Sequence, residues 1–283
     1  SKEFSVPISL VQVAWFENPH SEDLRYEKDL RVEIVLRPTM ENDAGDFAST
    51  ESRVNLARFT TEMDVAAECA QRMNQVAPGV VFSDGSFVLS FTGRMPPATR
   101  SAYLAALFRL LDTSRTIRVP LVGYIDLSYA SDLCGLLGTA FDLPDSRVTD
   151  AQILKNRLGL FERTAAFRCA RSDIMQHYHN DSRDYSRDIC FVYLKVGTHA
   201  MPARIDFPSW ILDAGMLDRV IDVVRAEIIA GSGYPYCLEA ADAAAVLTTE
   251  DRLRFYRTWQ EFAGSIGLEM ALPGKTVSKL RRR

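Results

Sequence analysis

The hydrophobic pattern of this chain changes repeatedly between a two-residue and a 3.6-residue period, which limits the fold to a mixture of strands and helices. Strand patterns are predicted over 6–16, 31–37, 80–91, 118–126, 188–197 and 202–207. Helical patterns are predicted over 51–76, 96–112, 164–177, 213–230, 236–247 and 249–265, with a short helix ending near Leu137. This order indicates an α/β fold with a mixed β-sheet flanked by helices. We expect the 283 residues to form a single domain.

Apolar runs, cysteines and loop motifs exclude several classes of protein. No run of 18 or more apolar residues occurs, so a transmembrane helix is not expected. The five cysteines are scattered without a C-x-x-C pair, so neither a zinc site nor a disulfide framework is predicted. Scattered thiols favour a reducing, cytoplasmic location. No Walker A loop is present, so the chain is not itself a motor ATPase.

Positive charge is concentrated at the end of a chain whose formal net charge is −4. That overall charge does not by itself indicate a nucleic-acid-binding protein. The last nine residues nevertheless contain no acid, and their basic residues are Lys275, Lys279, Arg281, Arg282 and Arg283. Such a basic tail can bind DNA phosphates, although it can equally be a solvated terminus that aids solubility.

Asp84 interrupts the apolar pattern of 80–91 with the tetrapeptide Ser83-Asp84-Gly85-Ser86. A carboxylate between apolar residues is costly to bury without a partner. One interpretation is therefore a metal-binding acid at the end of a strand. The other is an Asp-Gly turn in a β-hairpin, which the local pattern alone favours.

Three further acids occupy helical patterns. Glu62 lies about 60° from Phe59 on a helical wheel, at the border of the apolar stripe, where Arg58 can pair with it four residues earlier. Glu239 and Asp242 are three residues apart and share one helix face just after the turn Gly231–Pro235. Carboxylates gathered in this way suit Mn²⁺ or Mg²⁺ and phosphodiester hydrolysis. The alternatives are a surface Arg–Glu pair and acids that stabilise the start of a helix.

Taken in order, several motifs resemble the NurA family over most of the chain. The motifs are Arg58 with Glu62, Asp84-Gly85-Ser86, Gly123-Tyr124-Ile125-Asp126, Arg204-Ile205-Asp206-Phe207-Pro208, Gly233-Tyr234-Pro235 through Glu239, and Lys275 to Lys279. The resemblance implies an RNase H-like core and a homodimer. It also implies a Mn²⁺-dependent DNA nuclease, with Mg²⁺ as the alternative ion. Its activity would be that of a 5′–3′ exonuclease and single-strand endonuclease in DNA end resection and repair, working with a HerA-type hexameric ATPase.

The resemblance assigns roles to individual residues of this chain. Glu62, Asp84 and Glu239 would be the metal-site acids, and Tyr193 would be a functional tyrosine. The tail residues Lys275, Lys279, Arg281 and Arg282 are the predicted DNA-binding residues.

Two departures from the family pattern leave an alternative function open. Asp242 stands where the family usually has a histidine, and it cannot act as a neutral imidazole. The family also has an earlier Asp-Gly-Ser motif, and we expect this chain to lack that first catalytic strand. A NurA-like module that is catalytically inactive, and that docks on an ATPase or holds DNA, is therefore the alternative.

Overall fold

The computed structural model describes residues 8–21, 25–36, 50–76, 78–142 and 148–267. The chain divides into two compact units, the first ending at Ala244 and the second beginning at Ala245. The predicted DNA-binding tail lies outside the described residues. So does the loop that Pro, Asn, Asp and Gly residues predict over 38–50, except for its last residue, which begins a helix. Within those residues no helix combines the length and the apolar character needed to cross a bilayer.

A two-stranded hairpin and a long helix begin the first unit. Strands β1 (Ile8–Glu17) and β2 (Glu27–Leu36) pair antiparallel and form a sheet of their own. Val11 and Val13 are buried on the face of β1 that packs against helix α1 (Thr50–Val76). The helix lies as the apolar stripe predicted, with Met63 and Ala70 buried.

A five-stranded mixed sheet forms the centre of the first unit. Its order is β3-β4-β7-β6-β5. The strands are β3 (Val81–Asp84), β4 (Leu121–Ile125), β5 (Phe167–Arg168), β6 (Ile189–Leu194) and β7 (Ala203–Pro208). Only β3 and β4 are parallel to each other, and the other pairs in this sheet are antiparallel. The predicted mixed sheet is confirmed, although the first two strands form a separate sheet.

Helices cover both faces of the central sheet, which is why β6 and β7 are buried along their whole length. One apolar core includes α1 and α2 (Pro97–Ile117), and the other includes α6 (Ser209–Asp213) and α7 (Leu217–Ala230). The remaining helices are α3 (Asp132–Phe141), α4 (Asp150–Leu154), α5 (Ser172–Met175), α8 (Tyr236–Ala245) and α9 (Thr249–Ser265). α8 and α9 match their predicted ranges to within two residues.

Two predicted elements differ from the structure for reasons that lie in tertiary contacts. The strand predicted over 80–91 ends at Asp84, and the chain then forms a loop and a 3₁₀ turn, Ser90–Arg94. The helix predicted over 164–177 is wrong, because β5 and the short α5 occupy that region. β5 pairs with β6, so a distant strand determines its conformation.

Candidate active site

Asp84 is the last residue of β3 and its side chain is exposed. Because β3 and β4 are parallel, their carboxyl ends meet at one edge of the sheet, where ligands of α/β proteins commonly bind. The Asp-Gly hairpin interpretation is wrong, since β3 pairs in parallel with β4 instead of turning back on itself. Gly85 has φ +122°, a conformation that L-residues rarely adopt, and its N–H donates to the Tyr124 carbonyl at 3.0 Å.

Asp206 on β7 holds the loop that follows Asp84. Its Oδ2 accepts from Ser86 Oγ at 2.5 Å and from the Phe87 N–H at 3.1 Å. Its Oδ1 accepts from Arg204 Nε at 2.7 Å, and Arg204 Nη1 donates to Asp132 Oδ2 at 2.6 Å. All three charged residues are nearly or fully inaccessible to solvent. The Asp-Gly-Ser and Arg-Ile-Asp motifs, which are 120 residues apart, therefore form one structure.

Gly123 makes the close approach of these segments feasible. It lies opposite Asp206 on β7. A Cβ atom at this position would lie 2.6 Å from the Gly85 carbonyl oxygen, a backbone atom that cannot move without displacing the loop. A larger residue at position 123 would therefore shift the segment that carries Asp84.

Tyr234 contacts Asp84 directly. Its hydroxyl donates to Asp84 Oδ1 at 3.2 Å, and its ring packs edge-on against Tyr124 with centroids 5.2 Å apart. Burial raises the pKa of Tyr234, and the negative charge of Asp84 raises it further, as do Asp126 and Asp242 more weakly. The phenol therefore remains protonated and serves as a hydrogen-bond donor at neutral pH.

Glu62 on α1 faces the same region. Its carboxylate lies 3.7 Å from Arg58 Nε, so the predicted pair of Arg58 and Glu62 is present. Burial raises the pKa of Glu62, the positive charge of Arg58 opposes this, and the nearby Asp84 adds to the increase. The glutamate is thus electrostatically coupled to Asp84, although its side chain retains 41% of its solvent exposure.

Asp126 follows the end of β4, next to the same edge of the sheet. It is exposed, and partial desolvation raises the pKa of its carboxyl. Its charge contributes to the raised pKa values of Tyr124 and Tyr234, after burial as the main cause. The buried Tyr124 hydroxyl has no hydrogen-bond partner among the described residues.

The remaining predicted residues lie in different environments. Glu239 and Asp242 are exposed on α8, and only Asp242 influences the pKa of Tyr234. Tyr193 is fully buried in the middle of β6, and its hydroxyl donates to Asp150 Oδ2 at 3.0 Å. The structure therefore brings Glu62 and Asp84 together and places Tyr193 in the core.

A complete metal cage is not formed by the described side chains. Within 8–21, 25–36, 50–76, 78–142 and 148–267, no group of three or more His, Cys, Asp or Glu residues is arranged to hold a metal ion. The carboxylates at the sheet edge instead form an open set, meaning that they do not enclose a metal ion by themselves. All five cysteines are free.

Sequence reasoning missed two participants, Tyr234 and Asp126. Both stand inside motifs that the sequence displays, Gly233-Tyr234-Pro235 and Gly123 to Asp126. A tyrosine held between glycine and proline in a tight turn has a restricted position, which was the available signal. Its partner Asp84 is 150 residues away, so the contact itself could not be read from local spacing.

Comparisons with known proteins agree with this architecture. A search of curated proteins finds no match. The fold is similar to the crystal structure of the NurA nuclease from Sulfolobus solfataricus, with a TM-score of 0.54 and 12% identity. That match covers 96% of this chain and 87% of the Sulfolobus chain, and the predicted α/β fold with a mixed sheet flanked by helices is confirmed. Residues 1–247 match the NurA domain family. The chain therefore belongs to the NurA family.

Proposed function

We propose that this protein is a metal-dependent DNA nuclease whose site is centred on Asp84. The observation that carries the proposal is the exposed Asp84 carboxylate at the carboxyl end of β3, coupled to Glu62 and bonded to Tyr234. A similarly folded protein, the Sulfolobus NurA, is a nuclease. Among the described residues, Asp84 has one neutral donor, so its carboxylate retains lone pairs that can bind a cation.

The chemistry of these donors fits a hard divalent cation such as Mn²⁺ or Mg²⁺. Carboxylate oxygens are the preferred ligands, and the mutual repulsion of Glu62 and Asp84 would be relieved by a positive charge between them. Mg²⁺ is commonly held by one or two carboxylates, with water and substrate phosphate completing its shell. An open set of acids therefore fits a site that the substrate completes. A bound divalent ion would polarise the phosphate and make a bound water more acidic.

The protein residues around the acids have distinct tasks in this proposal. Tyr234 orients the Asp84 carboxylate through its hydroxyl, and Arg58 favours the ionised form of Glu62. The ring of the buried Tyr124 packs edge-on against Tyr234 and so supports its position. Glu239 and Asp242 would supply further carboxylates from α8.

The tyrosine with a direct role in this proposal is Tyr234 instead of Tyr193. Tyr193 is inaccessible to solvent and its hydroxyl is engaged by the buried Asp150. Its contribution would be to the stability of β6 and α4. Tyr234 contacts an exposed acid, and it stands within a motif that carries the family resemblance.

Finer aspects of the function rest on the family resemblance. We propose that the protein is a homodimer, that it acts as a 5′–3′ exonuclease and single-strand endonuclease in end resection, and that a HerA-type hexameric ATPase is its partner. The tail residues Lys275, Lys279, Arg281 and Arg282 would bind DNA phosphates. Light scattering measures the size of the protein alone, which tests the homodimer, and the size of its mixture with the ATPase, which tests that complex.

The decisive experiment is a cleavage assay on labelled single-stranded and duplex DNA with Mn²⁺, Mg²⁺ or a chelator. We expect products only when a divalent ion is present. Calorimetric titration of Mn²⁺ into the chain should show binding that Asp84→Asn weakens. DNA binding without Mn²⁺ binding or cleavage would favour the alternative function, an inactive DNA-holding or ATPase-docking module.

A further inference from the structure

An exposed aromatic ring lies on the 3₁₀ turn that follows the Asp84 loop. Phe91 keeps 53% of its solvent exposure, while its neighbour Thr92 is 1% exposed. Thr92 anchors the turn, because its hydroxyl donates to the Leu89 carbonyl at 2.8 Å. Phe91 is therefore presented to solvent from a well-anchored segment.

The Phe91 ring is supported from beneath and is linked to the candidate active site. It packs edge-on against Tyr103, with ring centroids 5.2 Å apart, and Tyr103 in turn contacts Phe59 at 5.1 Å. Phe59 stands next to Arg58 and three residues before Glu62 on α1. Phe91 thus lies at the margin of the acidic site, with part of its ring open to solvent.

Arginines lie on and next to the turn that carries this ring. Arg171 Nη1 donates to Ser90 Oγ at 3.0 Å, which places a guanidinium next to the residue before Phe91. Arg94 is exposed at the end of the same turn and has no ion-pair partner among the described residues. Arg100 lies on α2 nearby. The pKa of His177 is lowered by the burial of that histidine and by the positive charge of Arg100. Asp173 pairs with Arg171, so Arg94 and Arg100 are the cations left for a ligand.

An exposed aromatic ring on a turn that also carries an exposed arginine matches the chemistry of an unpaired DNA strand. Such a strand offers a flat base for stacking and a phosphate for the cation, which are the two contacts used by single-strand binding proteins. Bases within a duplex are stacked on each other, so their faces are not available to Phe91. We propose, in an inference that rests on the proposed nuclease function, that Phe91 stacks on a base of the substrate strand and that Arg94 binds its phosphate.

The test measures binding separately from cleavage. The full chain carrying Asp84→Asn is mixed with fluorescein-labelled oligo(dT) of about 20 nucleotides, long enough for one binding site, or with a blunt duplex, and anisotropy is recorded. We expect Phe91→Ala to weaken oligo(dT) binding about tenfold, the size of one base–aromatic contact. Phe91→Trp should retain binding, and the duplex affinity should change much less.

Matched controls are available elsewhere on the chain. Phe141→Ala removes a phenylalanine that is even more exposed than Phe91, 69% accessible at the end of α3, and should leave oligo(dT) binding unchanged. Arg94→Ala should weaken binding and reduce its salt dependence, whereas Arg115→Ala should not. Arg115 lies in the last turn of α2, about 27 Å along the helix axis from Pro97, the first residue of that helix.

The outcomes separate this inference from the proposed function. If the Phe91→Ala variant binds oligo(dT) as tightly as the Phe141→Ala variant, the stacking role of Phe91 is overturned, even if cleavage remains. An equal loss on oligo(dT) and duplex would overturn the preference for an unpaired strand. No DNA binding by any variant would contradict the proposed function itself. If Phe91→Ala unfolds by circular dichroism, Phe91→Leu keeps apolar packing on Tyr103 without a π-face and should show the same loss.

Discussion

Two groups of acids in this protein differ in how fully hydrogen-bond donors surround them. Asp206 accepts from Ser86, Phe87 and Arg204, and the buried Asp150 accepts from Cys134 N–H and Tyr193. The acids at the carboxyl ends of β3 and β4 have few donors. Asp84 has the Tyr234 hydroxyl, and Glu62 has Arg58 at 3.7 Å. Among the described residues, Asp126 has no hydrogen-bond or ion-pair partner for its carboxylate.

This difference separates acids that maintain the fold from acids that are available to a ligand. A buried carboxylate without donors is too costly to keep, so Asp206 and Asp150 must be satisfied internally. An exposed carboxylate with spare lone pairs can bind a cation or a substrate without breaking the structure. Desolvation raises the pKa of both Glu62 and Asp126, and the charge of Asp84 raises that of Glu62 further. Raised pKa values of this kind are typical of functional sites.

The largest expected effect is on cleavage by Asp84→Asn. A metal-binding carboxylate contributes several kcal/mol to stabilisation of the transition state, so cleavage should fall about 1,000-fold. Thermal unfolding should change little because the side chain is exposed. Cleavage by the variant at the wild-type rate would remove Asp84 from the proposed site.

Asp206→Ala should have the opposite signature, with a large loss of stability. It leaves the buried Arg204 with one carboxylate partner among the described residues, Asp132, and removes the acceptor of Ser86 and of the Phe87 amide. Loss of one member of a buried charge network costs about 3–5 kcal/mol. Urea unfolding would measure this loss of stability. An unfolding midpoint equal to that of wild type would contradict a structural role for Asp206.

Tyr234→Phe and Tyr193→Phe form a direct comparison of two tyrosines. Removal of the Tyr234 hydroxyl should lower cleavage about tenfold at nearly unchanged stability, because it deprives Asp84 of a charge-assisted hydrogen bond. Removal of the Tyr193 hydroxyl should lower stability by about 1 kcal/mol, because the buried Asp150 loses a donor. Steady-state cleavage and thermal melts measure both effects. The reverse pattern would restore Tyr193 as the functional residue.

The smallest expected effect is a pH-dependent gain in stability from Asp126→Asn. Desolvation raises the pKa of Asp126 in the folded state, so ionisation costs more there than in the unfolded chain. The wild-type protein should lose that increment of stability as pH rises through the folded pKa, whereas the variant should not. The gain in stability of Asp126→Asn over wild type should therefore be larger at about pH 7 than at about pH 3, by at most about 0.5 kcal/mol because the group is exposed. A variant less stable at neutral pH would contradict this cause.

Local patterns were sufficient for several elements and for one pair in the site. The apolar stripe of α1 predicted both the helix and the border position of Glu62, since helical geometry relates neighbours three or four residues apart. The pairing of Arg58 with Glu62 follows from the same geometry. The predicted pairing of the strand patterns 188–197 and 202–207 is present in β6 and β7, which are adjacent in sequence and antiparallel.

Contacts between residues far apart in the sequence determine the conformation of the segment after Asp84, which the local pattern predicted wrongly. Taken alone, Asp-Gly favours a hairpin, but parallel pairing with β4 and the donors that converge on Asp206 direct the chain into a 3₁₀ turn. The same contacts present Phe91 beside the site, a position with no signature in its own segment.

By itself, the sequence determined the α/β class, the ranges of α1, α8 and α9, and the motifs that carry the resemblance to the NurA family. These depend on periodicity and on short spacings, which each segment contains within itself. The tertiary structure decided which acids face solvent and which are enclosed, and which tyrosine reaches Asp84. Those outcomes depend on residues 120 and 150 positions apart, Ser86 with Asp206 and Asp84 with Tyr234, that only the folded sheet brings within hydrogen-bond distance.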